Sequence, residues 1–225
     1  MKSVASAPGK AILFGEHAVV YGIPAIAAAL SDLRLFVTIS ETSDLNLKVS
    51  FEDILDQDGH PTIGEVSVKK ISELVSNPCE DVKVAVKPDE ETAQRLKSEF
   101  SHLPSSAGQG MIAITYLVGH ILQPFLKGGL DIRVKSHGLP IGAGLGSSAA
   151  FSVASSAACL QLRDKLDFIQ KGGNEENHSL PLLPENLHTI NSWAFMAEVL
   201  IHGTPSGLDN TASTYGGMIK FRKLE

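Results

Sequence analysis

Three alternate glycines run into two hydroxyls in the stretch Leu139-Pro140-Ile141-Gly142-Ala143-Gly144-Leu145-Gly146-Ser147-Ser148-Ala149-Ala150. Glycine lets main-chain N–H groups approach an anion with no Cβ in the way, and a helix starting at the serines would add unpaired donors and a favourable dipole. The stretch reads as a backbone cradle for phosphate, with Ser147 and Ser148 offering hydroxyls to a nucleotide-bound magnesium. Two commoner glycine motifs fit poorly. A Walker loop needs a lysine before its Ser/Thr, and none is present here. A Rossmann fingerprint wants an acid about 20 residues later; Asp164 and Asp167 fall near that place, but a Gly-Ser-Ser ending is foreign to it. A serine-capped turn at an ordinary helix start uses the same residues.

Other residues of chemical interest lie at both ends of the chain. Near the start, Ala7-Pro8-Gly9-Lys10-Ala11-Ile12-Leu13-Phe14-Gly15-Glu16-His17 sets a lysine before an apolar strand and a Glu-His pair after it. Lys10 alone would be an ordinary strand-end lysine, and a lone histidine such as His17 is more often structural than a base. Near the end, Glu198 borders the apolar face of a helix, where a carboxylate needs a cation or donors to offset its desolvation, or else stays wet at the boundary. Beyond it, His202-Gly203-Thr204-Pro205-Ser206-Gly207-Leu208-Asp209-Asn210 places Asp209 in a loop of turn-forming residues. Such a loop suits an aspartate that must be aimed, and equally an Asx turn in which the side chain bonds its own backbone.

The elements that must hold these groups follow from hydropathic periodicity. Ser3–Ala7 and Lys10–Phe14 read as short strands around a Pro8-Gly9 turn; Leu33–Glu41 and Leu45–Phe51 alternate as strands, with an antiparallel sheet as their simplest host. Asp53–Pro61 reads as a surface loop. The pattern turns helical over Glu90–Leu103 and Gln109–Leu122, where Met111, Ile114, Val118 and Ile121 make one buried stripe. Leu130–Lys135 is a strand feeding the glycine loop, and Ser147–Leu162 an alanine-rich helix after it, the order that a phosphate cradle requires. Lys171–Asn177 is expected to be a mobile insertion. Pro184-Glu185 opens the last long helix and Gly203 stops it.

With 19 basic against 25 acidic residues the net charge is −6, so bulk charge favours no nucleic-acid partner. An anionic ligand must be met by locally placed donors. The apolar run Ala18–Leu30 is short and broken by Gly22 and Pro24, which makes it no membrane span. The two cysteines, Cys79 and Cys159, form neither a disulfide framework nor a zinc pattern, and no secretory signal follows Met1. A cytosolic protein, with no nucleic acid or membrane partner, is expected.

Taken together, the lysine strand, the Pro-x-Gly-x-Gly-Leu-Gly-Ser-Ser-Ala loop and the His-Gly-x-Pro-Ser-Gly-x-Asp-Asn segment resemble the GHMP kinase family. Within it, Gly15-Glu16-His17-Ala18-Val19-Val20-Tyr21-Gly22 is similar to the branch acting on mevalonate, since galactose-specific members typically follow Glu-His with Thr-Asp-Tyr. The resemblance implies an α+β, ribosomal-protein-like two-layer domain with a left-handed βαβ unit, spanning residues 1–225. It implies ATP and Mg2+ as cofactors and phosphorylation of the C5 hydroxyl of mevalonate, in the supply of isoprenoid and sterol precursors. It also implies roles. Asp209 and Lys10 are the catalytic pair, and Lys10 with Gly142, Ala143, Gly144, Leu145, Gly146, Ser147 and Ser148 binds ATP. Ser148 and Glu198 are the metal ligands, and Glu16 and His17 the substrate-binding edge. Phosphoryl transfer asks mainly for alignment and charge neutralisation, which these residue types supply.

The resemblance ends where the chain does. The resemblance implies a C-terminal domain with a further glycine-rich motif, expected to be missing from residues 1–225, and hence exposed apolar surface where it would dock. Two other readings stay open: a sibling kinase acting on phosphomevalonate, galactose or homoserine, and a non-catalytic binding or regulatory fragment. A homodimer is compatible with either.

Overall fold

The computed structural model describes residues 1–15, 21–170 and 183–222. Six strands form one sheet: β1 (Lys2–Phe14), β2 (Ala25–Thr42), β3 (Asn46–Leu55), β4 (Pro61–Ser67), β5 (Gly129–His137) and β6 (Met218–Phe221). The helices are α1 (Val68–Leu74), α2 (Glu90–Glu99), α3 (Ser105–Leu117), α4 (Ser147–Gln170), α5 (Pro184–His202) and α6 (Leu208–Tyr215). The strand order is β1-β2-β5-β3-β4, with β6 on the start of β2. Pairing is antiparallel except between β3 and β5, which run parallel and so require the crossover through α1, α2 and α3. This is the α+β, two-layer arrangement expected, with a mixed rather than purely antiparallel sheet.

Alternation decides which face of the sheet is covered. Leu35, Val37 and Ile39 of β2, Leu47, Val49 and Phe51 of β3, and Leu130, Ile132 and Val134 of β5 are buried against the helices. Their neighbours Lys48, Glu52, Asp131, Arg133 and Lys135 face outward, where Lys135 pairs with Glu52 and Arg133 with Asp131. Buried Ala150, Ala154 and Ala158 let α4 lie close on β1 and β2, and α5 packs beside it. Local capping supports the helices: the Ser67 hydroxyl accepts from Lys70 N–H, the Asp89 carboxylate accepts from Thr92 N–H, and Pro184 begins α5 where a missing N–H is harmless.

Three sequence expectations are corrected. Pro8-Gly9 is not a turn but an irregularity inside one long strand, where the partner jumps from Arg34 to Leu30; proline is tolerated because β1 is an edge strand. The 53–61 loop shrinks to a turn at 56–60, held by Asp56 accepting from the N–H groups of Asp58 and His60, with β3 and β4 on either side. Helix α3 carries no single stripe: every residue from Gly110 to Leu117 is buried, because β3, β4, α2, α4 and α5 surround it. It continues as a π-helical turn over Val118–Leu122. The 171–177 segment lies outside the described residues. Phe14, Tyr21 and Met218 are 70%, 82% and 73% exposed. No helix among the described residues is long and apolar enough to cross a membrane.

Candidate functional site

The glycine loop sits between β5 and α4, beside the middle of β1. Gly142, Gly144 and Gly146 all take positive φ, of 76°, 75° and 73°, so alternate peptides reverse direction, as only glycine does without strain. Strand β1 passes underneath at close range. A Cβ on Gly9 would stand 2.5 Å from Leu139 Cδ1 and 2.7 Å from the Leu145 carbonyl oxygen, so the bare glycine lets strand and loop touch.

Lys10 fastens the two together. Its backbone N–H donates to the Leu145 carbonyl at 2.8 Å, and its Nζ donates to the Gly144 carbonyl at 3.1 Å. A trans peptide points its C=O and N–H in opposite directions, so the N–H groups of Leu145 and Gly146 point away from Lys10. The same Nζ lies 3.3 Å from Asp209 Oδ2, with the lysine side chain 8% and the aspartate 38% exposed. Burial thus limits screening on one partner while the other stays open to the cleft. Asp209 is not in the loop where the sequence placed it, nor does it form an Asx turn with that loop. It occupies the first turn of α6, after Gly207, while the Ser206 hydroxyl accepts from Leu208 N–H. The helix dipole favours an acid there.

A second group forms where the start of α4 meets the end of α5. Glu198 is 3% exposed, fully inside rather than at the border of the apolar face. The Ser152 hydroxyl donates to Glu198 Oε1 at 2.9 Å and the Ser148 hydroxyl to Oε2 at 3.4 Å; His202 Nε2 lies 3.1 Å from Ser148 Oγ and 3.7 Å from Oε2. Desolvation pushes the Glu198 carboxyl above its usual range; the Ser152 hydrogen bond and the neighbouring His202 oppose this, whereas the Asp209 charge adds to it.

A carboxylate this buried beside a hydroxyl is a hard oxygen donor set lacking a full positive partner. No cluster of three or more His, Cys, Asp or Glu is placed to hold a metal among the described residues. A hydroxyl and a carboxylate, as in Ser148 and Glu198, are the oxygen donors that an ion such as Mg2+ takes while keeping most of its shell for phosphate oxygens and water.

Both groups open on one cleft of about 340 Å³, lined by Lys10, Gly142, Gly144, Gly146, Ser147, Ser148, His202 and Asp209. Its far end is apolar, walled by Leu35, Phe51, Ile54, Val134 and Phe151, with Asp53, Ser106 and Gln109 among them. The structure thus gathers Lys10, the glycine loop with Ser148, Glu198 and Asp209 from four places in the chain. Glu16 and His17 lie outside the described residues. Sequence reasoning missed Ser152, His202 and the apolar wall. Ser152 follows Ser148, and His202 follows Glu198, by one helical turn, a spacing that shares a face and could have flagged both. Phe51 and Asp53 arrive from β3 with no local signal.

Known proteins are similar to this chain in sequence and in fold. Residues 111–217 match the family model described as the GHMP kinases N terminal domain. The mevalonate kinase of Mus musculus is 40% identical over 225 residues, covering 97% of this chain and 53% of that protein. Among solved structures, the Methanococcus jannaschii mevalonate kinase superposes with a TM-score of 0.64 at 23% identity, over 99% of this chain and 54% of that one, a likeness of fold. The L. major mevalonate kinase in complex with R-mevalonate gives a TM-score of 0.54 at 25% identity, over 99% of this chain and 49% of the other. The chain spans about half the length of the curated relatives it matches.

Proposed function

We propose that this chain, whose residues 111–217 match the GHMP kinases N terminal domain, works as a kinase of that family and that its cleft transfers the terminal phosphoryl group of ATP to the C5 hydroxyl of mevalonate. The observation that carries this reading is the 3.3 Å contact of Lys10 and Asp209 beside a loop whose three glycines turn its peptides. The N–H groups of Leu145 and Gly146 receive the nucleotide phosphates, and the start of α4 adds its dipole. The apolar far end, with Phe51 and Phe151, takes the base.

Asp209 accepts the proton of the substrate hydroxyl as the oxygen attacks phosphorus. Lys10 neutralises charge on the phosphoryl oxygens and aims the carboxylate. Ser148 and Glu198 would hold Mg2+, which screens the phosphate charge when bound. Glu16 and His17 are assigned to the mevalonate side by resemblance, and the site is taken to work in the cytoplasm, in isoprenoid and sterol precursor synthesis.

Asp209→Asn should lower turnover by about 10²–10⁴-fold while calorimetry finds nucleotide binding intact, the ordinary scale for losing a general base. Full activity in that variant would remove Asp209 from the role. The half-length span favours a second reading, in which residues 1–225 bind nucleotide but need further sequence to turn over. Turnover by the 225-residue chain itself would eliminate it.

A further inference from the structure

Helix α4 carries three fully buried serines, Ser152, Ser155 and Ser156, and they are not alike. The hydroxyls of Ser155 and Ser156 have no hydrogen-bond partner among the described residues. The Ser152 hydroxyl donates to Glu198 Oε1 at 2.9 Å, a firmer bond than the 3.4 Å contact from Ser148 to Oε2. Ser148 and Ser152 are one helical turn apart, so they meet the same carboxylate from the same face, one at the cleft and one behind it.

A glutamate side chain left to itself samples many rotamers, and ordering it costs free energy at the moment of ligation. Groups that hold a metal-ligating carboxylate from behind remove that cost and fix which oxygen is presented. Here Oε1 is tied to the interior, and Oε2 is the oxygen left towards Ser148 and His202 at the cleft.

We infer that Ser152 is a positioning residue, which locks Glu198 so that Oε2 alone is offered to a divalent cation at the cleft. This rests on the reading of Ser148 and Glu198 as ligands. Ser152 touches neither nucleotide nor substrate and acts only through Glu198.

The test titrates Mn2+ into the full-length protein with a non-hydrolysable ATP analogue, with water-proton relaxation reporting the protein-bound ion. Ser152→Ala should weaken Mn2+ binding by about 10–100-fold, the usual cost of removing an outer partner of a ligand. Analogue affinity without metal should stay at the parental value, and Ser155→Ala should behave as the parent in both measurements. If Ser152→Ala does not yield folded protein, Ser152→Cys, similar in volume but a feeble donor, carries the same comparison.

Parental Mn2+ binding in the Ser152 variant, with binding lost in Glu198→Gln, would overturn the positioning role and leave the ligand reading standing. Equal weakening by the Ser152 and Ser155 variants would reduce Ser152 to a packing residue. Parental binding in Glu198→Gln would overturn the ligand reading itself.

Discussion

Glu198 is the side chain whose burial is least favourable to the fold and most useful to the site. Its carboxyl titrates above the usual range in the folded chain, chiefly through desolvation, so the folded state holds its proton to higher pH than the unfolded state does. A raised pKa contributes stability that is present below the unfolded value and is lost as pH rises through the folded one. Glu198→Gln, which keeps the shape and does not titrate, should therefore gain on the parent as pH climbs from below the ordinary carboxylate range to neutral. Thermal melts of both metal-free proteins across that range check this, with each kcal/mol registering as about 2–4 °C for a chain of this size. A difference that is flat or shrinks with rising pH would contradict the burial argument. At this scale much was legible: the types Lys10, Asp209 and Ser148 announced themselves by motif. The close pairing of Lys10 with Asp209, and the hidden bond from Ser152, were not, because they join positions far apart in sequence.

Among the elements, the critical fit is between β1 and the glycine loop. A methyl group on Gly9 would meet Leu139 Cδ1 at 2.5 Å and the Leu145 carbonyl at 2.7 Å, and a backbone atom cannot swing aside as a side-chain tip can. Gly9→Ala should cost about 1–3 kcal/mol, the range for overpacking, and should weaken nucleotide binding by pushing the loop off Lys10. Urea midpoints and calorimetry check the two parts; a variant with parental stability and binding would show that the contact is soft. The strands of the sheet centre were readable because each buries one face, giving a clean period of two in Leu47, Val49 and Phe51. Strand β1 was misread as two because Pro8-Gly9 is also turn chemistry, and only edge placement in the sheet decides between the meanings. Helix α3 lost its expected stripe because enclosure on all sides leaves hydrophobic periodicity with nothing to report.

At the scale of the molecule, the candidate site is assembled by a fold that brings the middle of β1, the β5–α4 loop and the α5–α6 junction to one cleft. The chain spans about half the length of its curated relatives, and Phe14, Tyr21 and Met218 stand exposed. The mevalonate reading rests on the local Gly15–Gly22 motif and on resemblance, whereas the cleft that would bind a substrate is formed by side chains converging from several elements, which local pattern does not reveal. Mass-spectrometric assay of a form extended to the length of its relatives, with ATP and Mg2+ and each candidate alcohol in turn, tests the central proposal most directly. Phosphate should appear on the C5 hydroxyl of mevalonate and not on galactose or homoserine. Phosphorylation of galactose or homoserine, with mevalonate untouched, would contradict it.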